Sequence, residues 1–201
     1  VEDKNFYKHK GFDYPRIIKA LYTNIINNNL SQGASTISQQ YTKNLFLDFD
    51  KTWSRKMEEA WLTIRLEVHY DKDEILEGYL NTINYGGIFG IENASKYYFN
   101  KRASELDLAE ASILAGIPKW PSKYSPLIDE KAAKKRQHII LNSMVKNNYI
   151  TQTEADKAYE KKLTYIGNND TYQLNTLMYY QDAVISELKT ISTIPDSFLT
   201  T

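Results

Sequence analysis

A helix-start signal occurs three times along this sequence and indicates a chain built from capped helices. An Asp or Thr is followed three residues later by Glu at Asp71, Asp107 and Thr151. In such a capping box the first side chain accepts a hydrogen bond from the backbone N–H three residues on, and the Glu side chain accepts one from the backbone N–H of the first residue. Apolar residues at helical spacing follow the first two signals. Each signal therefore predicts the start of an α-helix.

Other stretches show the same helical spacing, whereas alternating strand patterns are scarce. Trp53, Met57, Trp61 and Ile64 recur every three or four residues, and Thr52 is placed to cap the helix that they predict. The fold class is therefore predicted to be mainly α.

A further helix is predicted to open at Asp129 and run to Val145. Its outer, solvated face is predicted to be basic, formed by Lys131, Lys134, Lys135 and Arg136. Another apolar face runs from Leu174 to Leu188. We expect residues 1–150 to form the compact unit and residues 151–201 a helical appendage or the start of a linker.

The charge balance and the missing residue types exclude several function classes. Lys plus Arg and Asp plus Glu both number 25, so the formal net charge is zero, which argues against a nucleic-acid-binding protein. Cysteine is absent, which excludes disulfides, thiolate catalysis and cysteine-ligated metals. The sequence contains no run of about 18 consecutive apolar residues, the length that a membrane span needs. The sequence opens with Val1 and has no signal-peptide pattern, so we expect a processed or excised piece whose natural N-terminus is missing.

Three polar clusters could carry chemistry, although their spacing alone leaves simpler interpretations open. Arg55 and Lys56 lie four and three residues before Glu59, so on a helix they share a face with it. A surface ion pair without function would show the same pattern. The stretch 33–40 offers hydroxyl and amide groups but no charge, which suits sugar or phosphate oxygens and equally suits helix capping. The acidic residues at positions 2 and 3 would by themselves indicate a solvated terminus.

Five segments in a fixed order between residues 2 and 126 carry a stronger signal. They are Glu2-Asp3-x-x-Phe6-Tyr7-x-His9-x-Gly11; Gly33-x-Ser35-Thr36-Ile37-x-Gln39-Gln40; Arg55-Lys56-x-x-Glu59; Tyr79-Leu80-Asn81 with Tyr85-Gly86, Gly90-Ile91, Ala94 and Tyr98-Phe99-x-Lys101; and Leu108-Ala109-Glu110 with Leu114-Ala115-Gly116-Ile117-Pro118, Pro121, Tyr124 and Pro126. Together they resemble the five motifs of the peptidoglycan glycosyltransferases, glycosyltransferase family 51. These enzymes form the polymerase domain of class A penicillin-binding proteins and the monofunctional transglycosylases.

The resemblance implies a fold and a reaction. It implies a lysozyme-like large helical lobe and a smaller membrane-proximal lobe. The reaction is polymerisation of lipid II: the 4-hydroxyl of the incoming disaccharide attacks the anomeric carbon of the growing glycan chain. Undecaprenyl pyrophosphate leaves, and a β-1,4 bond forms with inversion. The family assigns the general base to Glu2 and a second essential carboxylate to Glu59.

The resemblance also implies the groups that bind the substrate. Positive charge stabilises a departing pyrophosphate, and the candidates are Lys43, Lys51, Arg55 and Lys56. Hydrogen bonds to sugar and phosphate are predicted from Ser35, Thr36, Gln39, Gln40 and Asn81. Mg²⁺ or Mn²⁺ at the pyrophosphate is a further expectation, although the sequence contains no dedicated metal cage. No organic cofactor is expected.

The lipid tails of the substrate place the expected cleft at a membrane surface. The segment Leu45–Phe49 is predicted either to dip into the bilayer or to pack into the core. We expect the protein to be located at the outer face of the bacterial plasma membrane, held there by an N-terminal anchor absent from this chain. We also expect phosphoglycolipids of the moenomycin type to inhibit it. A transpeptidase domain following Thr201 is compatible with this reading.

Two other functions remain open. A muramidase or lytic transglycosylase would cleave the same glycan on a related helical scaffold, but it needs a protonated glutamate and has no use for pyrophosphate-binding cations. The presence of the cations Lys43, Lys51 and Arg55 therefore favours synthesis. An inactive glycan-binding module would be favoured by the loss of either glutamate, and both are present.

Overall fold

A computed structural model of the protein describes residues 2–27, 33–46 and 53–167. Within these ranges the α-helices, in chain order, are α1 (Tyr14–Ile26), α2 (Ile37–Phe46), α3 (Trp53–His69), α4 (Lys72–Thr82), α5 (Ile91–Phe99), α6 (Leu108–Leu114), α7 (Pro121–Tyr124), α8 (Glu130–Lys146) and α9 (Gln152–Glu160). Short 3-10 turns form at Phe6–Lys8, Ala103–Glu105 and Ile117–Lys119. The described ranges contain one isolated antiparallel bridge and no strand. The prediction of a mainly α fold is confirmed.

The three predicted capping boxes are all present. Asp71, Asp107 and Thr151 cap α4, α6 and α9, and in each case the Glu three residues later accepts a hydrogen bond from the backbone N–H of the cap. Asp129 caps α8 by accepting from the N–H of Ala132 at 2.9 Å. A cap of this kind contributes about 1 kcal/mol to helix stability. The predicted cap Thr52 lies outside the described residues.

The core lies where α4, α5, α6 and α8 pack together. Its members include Ile75, Tyr98 and Leu114, which are fully buried. The Tyr98 hydroxyl donates to the carbonyl of Tyr85 at 2.9 Å and lies 2.9 Å from the hydroxyl of Ser125. Burying aromatic side chains of this size removes much apolar surface from water, and their hydroxyls find partners inside the core.

Helix α9 packs against α6 and α8. The predicted division at residue 150 into a catalytic domain and an appendage stays a prediction. The chain divides into units 1–165 and 166–201. The predicted apolar face from Leu174 to Leu188 lies outside the described residues. Among the residues that the structure describes, no helix is both long and apolar enough to cross a membrane.

Candidate active site

Glu2 lies in the segment before the first 3-10 turn, and two arginines hold it. The Arg16 guanidinium, on α1, donates to the Glu2 backbone carbonyl. Nη2 of Arg136, on α8, lies 2.6 Å from a Glu2 carboxylate oxygen across 134 residues of sequence. The Glu2 side chain is 28% exposed and that of Arg136 only 4%. A buried arginine therefore fixes a carboxylate that still faces solvent.

Glu2 lines a cavity of about 330 Å³. The other lining groups are mostly apolar and come from the first turn, α2, α4, the region between α6 and α7, and α8; among them are Phe6, Leu76, Leu80, Ile140 and Met144. Ser143 and Asn147 add polar groups. A mostly apolar cavity with a few placed polar groups is the usual form of a small-ligand site.

Tyr79 lines the same cavity and is buried. Burial, and to a lesser extent the nearby charge of Glu2, raise the pKa of Tyr79 well above its usual value. The phenol therefore stays protonated at neutral pH and can donate a hydrogen bond. In this structure its hydroxyl lies 3.4 Å from the side-chain oxygen of Gln40.

Asp3, next to Glu2, connects the N-terminal segment to α2. Its buried carboxylate accepts a hydrogen bond from the backbone N–H of Ile37 at 3.1 Å. Nε2 of His9 lies 3.0 and 3.2 Å from the two carboxylate oxygens. A carboxylate at a helix N-terminus is stabilised there by the helix dipole. Asp3 thus fixes the start of α2, and His9 fixes Asp3.

Thr36 and Gln39 form a capping box at the start of α2. The Gln39 N–H donates to the Thr36 hydroxyl oxygen at 3.2 Å, and the Thr36 N–H donates to the Gln39 side-chain oxygen at 3.1 Å. The Thr36 hydroxyl also donates to the carbonyl of Gly11 at 2.6 Å. Both side chains are buried. They organise the turn that precedes α2, and their predicted contact with substrate stays a prediction.

Glu59 is the centre of a second polar cluster, on α3. Its side chain is 3% exposed. One oxygen accepts from Arg55 Nη1 at 3.2 Å, and the other pairs with Lys56 Nζ and lies 3.4 Å from the side-chain nitrogen of Gln39. The helical spacing predicted from the sequence is therefore present, and Glu59 is buried rather than on the surface.

The two glutamates are connected through α2 but do not line one cavity. Asp3, adjacent to Glu2, binds the first residue of α2, and Gln39 in the next turn reaches Glu59. Glu59 is not among the described residues that line the Glu2 cavity. A single short helix segment therefore couples the positions of the two acidic sites.

The remaining predicted site residues are distributed around these two clusters. Lys43 lies in the last turn of α2, Gln40 is half-buried, and Ser35 and Asn81 are exposed. Lys51 lies outside the described residues. Among those that the structure describes, no group of three or more His, Asp or Glu side chains is arranged to hold a metal ion.

Arg136 is the functional candidate that sequence reasoning missed. We predicted it on the outer face of α8, and this was wrong: Ala132, Arg136 and Ile140, four residues apart, are all buried. Arg136 lies four residues from Ala132 and four from Ile140, and this spacing could have predicted that it lies on the inner face of the helix. Tyr149, which also lines the cavity, follows α8 in a short loop that gave no such signal.

Comparison with known proteins gives consistent results. The model of the transglycosylase family matches residues 1–145. Penicillin-binding protein 2D of Bacillus subtilis is 50% identical over 190 residues, which is 94% of this chain and 28% of that protein. Penicillin-binding protein 1F of the same organism is 44% identical, covering 81% of this chain and 23% of that protein. Penicillin-binding protein 1A of Neisseria lactamica is also 44% identical, covering 82% and 21%. The chain thus spans about a quarter of the length of these relatives.

Proposed function

This chain belongs to the transglycosylase family, and on that premise we propose that it is a peptidoglycan glycosyltransferase that polymerises lipid II into β-1,4-linked glycan. The observation that carries this proposal is the Glu2 carboxylate, which a buried arginine holds at the wall of a cavity. A carboxylate in this position can accept the proton of an attacking sugar hydroxyl.

In the proposed reaction Glu2 accepts the proton of the acceptor 4-hydroxyl as its oxygen attacks the anomeric carbon of the growing chain. A C–O bond forms on one face of that carbon while the bond to the pyrophosphate oxygen breaks on the other, so the configuration inverts. Undecaprenyl pyrophosphate departs with the electron pair. Arg136 keeps Glu2 oriented, because its own position is fixed by burial in α8.

The positive groups near Glu59 are proposed to bind the departing pyrophosphate. Arg55 and Lys56 together outweigh the single charge of Glu59, and the Lys56 side chain is 44% exposed. Preorganised cations of this kind stabilise the charge that develops on the leaving group. Glu59 holds both cations in place, and Lys43 and Lys51 are proposed to bind the pyrophosphate as well. We expect Arg55→Ala to weaken the binding of phosphoglycolipids of the moenomycin type.

Mg²⁺ or Mn²⁺ at the pyrophosphate remains a prediction, and no step of the mechanism depends on it. Both oxygens of Glu59 already accept hydrogen bonds from cationic or amide groups. A metal at Glu59 would have to share these oxygens with the groups already bonded to them. Titrating Mg²⁺ and Mn²⁺ into a chelator-treated enzyme during lipid II polymerisation tests this prediction.

The cations at Glu59 favour synthesis over glycan cleavage. A muramidase or lytic transglycosylase releases no pyrophosphate and has no use for pyrophosphate-binding cations. Arg55 and Lys56 both pair with Glu59, and the lytic alternative has no comparable observation in its favour.

We propose that the protein acts at the outer face of the bacterial plasma membrane. Ile18, Leu21, Tyr22 and Ile25 form an exposed apolar face on α1, and Trp53, Met57, Trp61, Ile64 and Val68 form another on α3. Exposed apolar faces are found on surfaces that contact membranes or other proteins. Leu45 is also exposed, whereas Leu47 and Phe49 lie outside the described residues. A Trp61→Ser/Ile64→Ser variant should bind anionic vesicles more weakly, and unchanged binding would contradict membrane contact by α3.

Incubation with labelled lipid II, followed by separation of the products by size, tests the proposed activity. The unmodified chain should give polymer, and Glu2→Gln should reduce the rate by about 10²–10⁴-fold, the usual contribution of a general base. Glu58→Gln is the matched control, because Glu58 is an exposed acidic residue next to Glu59. Normal polymer yield from Glu2→Gln would remove Glu2 from this role, and shortened glycan from preformed polymer would indicate the lytic enzyme.

A further inference from the structure

Two exposed tyrosines line the cavity that contains Glu2. Tyr7 comes from the first 3-10 turn and is 61% exposed, and Tyr149 comes from the loop between α8 and α9 and is 74% exposed. Tyr79 and Tyr85 line the same cavity but are buried. The cavity therefore has buried tyrosines in its wall and an aromatic rim, Tyr7 and Tyr149, that is open to solvent.

The ring of Tyr7 and the backbone of Tyr149 are held in place, although both rings are exposed. The Tyr7 hydroxyl donates to Asp73 at 2.9 Å, and its ring packs edge-on against Phe6 at a centroid distance of 5.2 Å. The hydrogen bond to Asp73 is the main cause that raises the pKa of the Tyr7 phenol, and the nearby Tyr149 is a lesser one. The ring of Tyr7 therefore stays neutral at physiological pH.

The backbone of Tyr149 is fixed by the end of α8. Its N–H donates to the carbonyl of Met144 at 2.9 Å, and the preceding Asn148 has a left-handed conformation with φ 59°. Asn is one of the few residues that adopt this conformation easily. The turn thus presents the Tyr149 ring at the cavity from a defined backbone position.

We propose that Tyr7 and Tyr149 bind the pyranose ring of the acceptor sugar and hold its reacting hydroxyl at Glu2. This inference rests on the proposed function. A tyrosine ring offers a flat apolar face at low conformational cost. The C–H groups on one face of a pyranose match such a surface, while its hydroxyls need hydrogen-bonding partners such as Ser143 and Asn147 in the same cavity.

The size of the cavity agrees with an acceptor sugar, and its charged lining residues are Glu2, Asp3 and Lys4. Its volume of about 330 Å³ lies at the low end of the range of about 300–1,000 Å³ found for ligand sites. It fits a sugar ring with its substituents and is too small for a long lipid chain. The cations proposed for the leaving pyrophosphate, Arg55 and Lys56, do not line it. Glu2 must reach the attacking hydroxyl to accept its proton. The sugar ring that carries this hydroxyl is therefore the part of the substrates that should lie in this cavity.

Kinetics of lipid II polymerisation test the aromatic rim. Tyr149→Ala should raise KM about tenfold with a smaller effect on kcat, because ring stacking of about 1.4 kcal/mol is lost. Tyr149→Phe keeps the ring and should retain a KM near that of the unmodified enzyme. Tyr70→Ala is the matched control: Tyr70 is 54% exposed and lies outside the cavity. Unchanged KM in Tyr149→Ala, or an equal rise in Tyr70→Ala, would overturn the proposal.

A binding measurement separates this inference from the proposed function. N,N′-diacetylchitobiose, a β-1,4-linked disaccharide of N-acetylglucosamine, is titrated into the full chain and followed by NMR chemical shifts. The disaccharide should bind the unmodified chain and Tyr149→Phe, and bind Tyr149→Ala about tenfold more weakly. If the chain binds the disaccharide in this way but makes no polymer, the proposed function fails and the aromatic rim stands. If the chain makes polymer but Tyr149→Ala binds the disaccharide as tightly as the unmodified chain, the proposed role of the aromatic rim is wrong and the proposed function is unaffected.

Discussion

The two acidic sites of this protein are built in opposite ways. Glu59 is buried, and its two cationic partners lie three and four residues away on the same helix. Glu2 is partly exposed, and its partner Arg136 lies 134 residues away on α8. The environment of Glu59 is therefore specified by local helix geometry, together with Gln39 from α2. The environment of Glu2 exists only when the N-terminal segment and α8 are both folded and packed.

The difference suits the two proposed roles. A base that takes up a proton must meet the substrate, so Glu2 faces a cavity and keeps one firm contact. The attraction between charges is stronger away from water. A carboxylate that organises two cations is therefore best buried. The comparison leads to four variants, each of which separates the long-range site from the local one.

Arg136→Met should have the largest effect, and the effect should be on activity. The variant keeps the buried apolar stem but removes the hydrogen bond to the Glu2 carboxylate. Hydrogen bonds to charged groups contribute about 1.5–3 kcal/mol, so polymerisation should fall by about 10- to 100-fold. Steady-state rates with lipid II measure this, and Arg136→Lys should recover part of the activity. An Arg136→Met enzyme with full activity and an unchanged pH profile would show that the pair plays no part in positioning the base.

Glu59→Gln should reduce stability as well as activity, in contrast to Glu2→Gln. The amide leaves Arg55 and Lys56 with one acceptor oxygen where they had two, in a buried site. An unsatisfied buried polar group costs about 1–3 kcal/mol, which denaturant titration can detect. Glu2→Gln should cost less, because water reaches its side chain. Equal losses of unfolding free energy in the two variants would remove the distinction between the sites.

Gly116→Ala tests the Glu2 site without touching either charged residue. A Cβ at Gly116 would lie 2.9 Å from Cγ of Arg136 and 3.1 Å from the carbonyl oxygen of Ile113. Both contacts are too close, so the Arg136 side chain must shift. Overpacking of this kind costs about 1–2 kcal/mol, and the activity should fall together with stability. Gly33→Ala is the control for stability, because no atom of the described residues lies within 4 Å of the added Cβ. A fully active Gly116→Ala enzyme would show that Arg136 tolerates displacement.

The same contrast explains which features could be predicted from the sequence. The capping boxes and the Arg55–Lys56–Glu59 cluster depend on residues three or four apart, and both are present as predicted. The capping role of Thr36 and Gln39 was also among the interpretations left open. The pairing of Glu2 with Arg136 depends on how α8 packs against the N-terminal segment, which helical spacing does not specify. The burial of Arg136 could have been predicted from its register with Ala132 and Ile140, but its partner could not.

Lys56→Met should have the smallest effect on stability, and it tests whether Glu59 depends on one cation more than on the other. The Lys56 side chain is 44% exposed and that of Arg55 16%. Water reaches the lysine end of this ion pair, and ion pairs open to water contribute about 0.2–1 kcal/mol, so the unfolding free energy of Lys56→Met should fall by less than about 1 kcal/mol. Arg55→Met should cost more, because less water can replace the lost contact. Denaturant titration of both variants measures the difference. If Lys56→Met lowers the unfolding free energy as much as Arg55→Met does, both cations are needed to hold the buried carboxylate of Glu59.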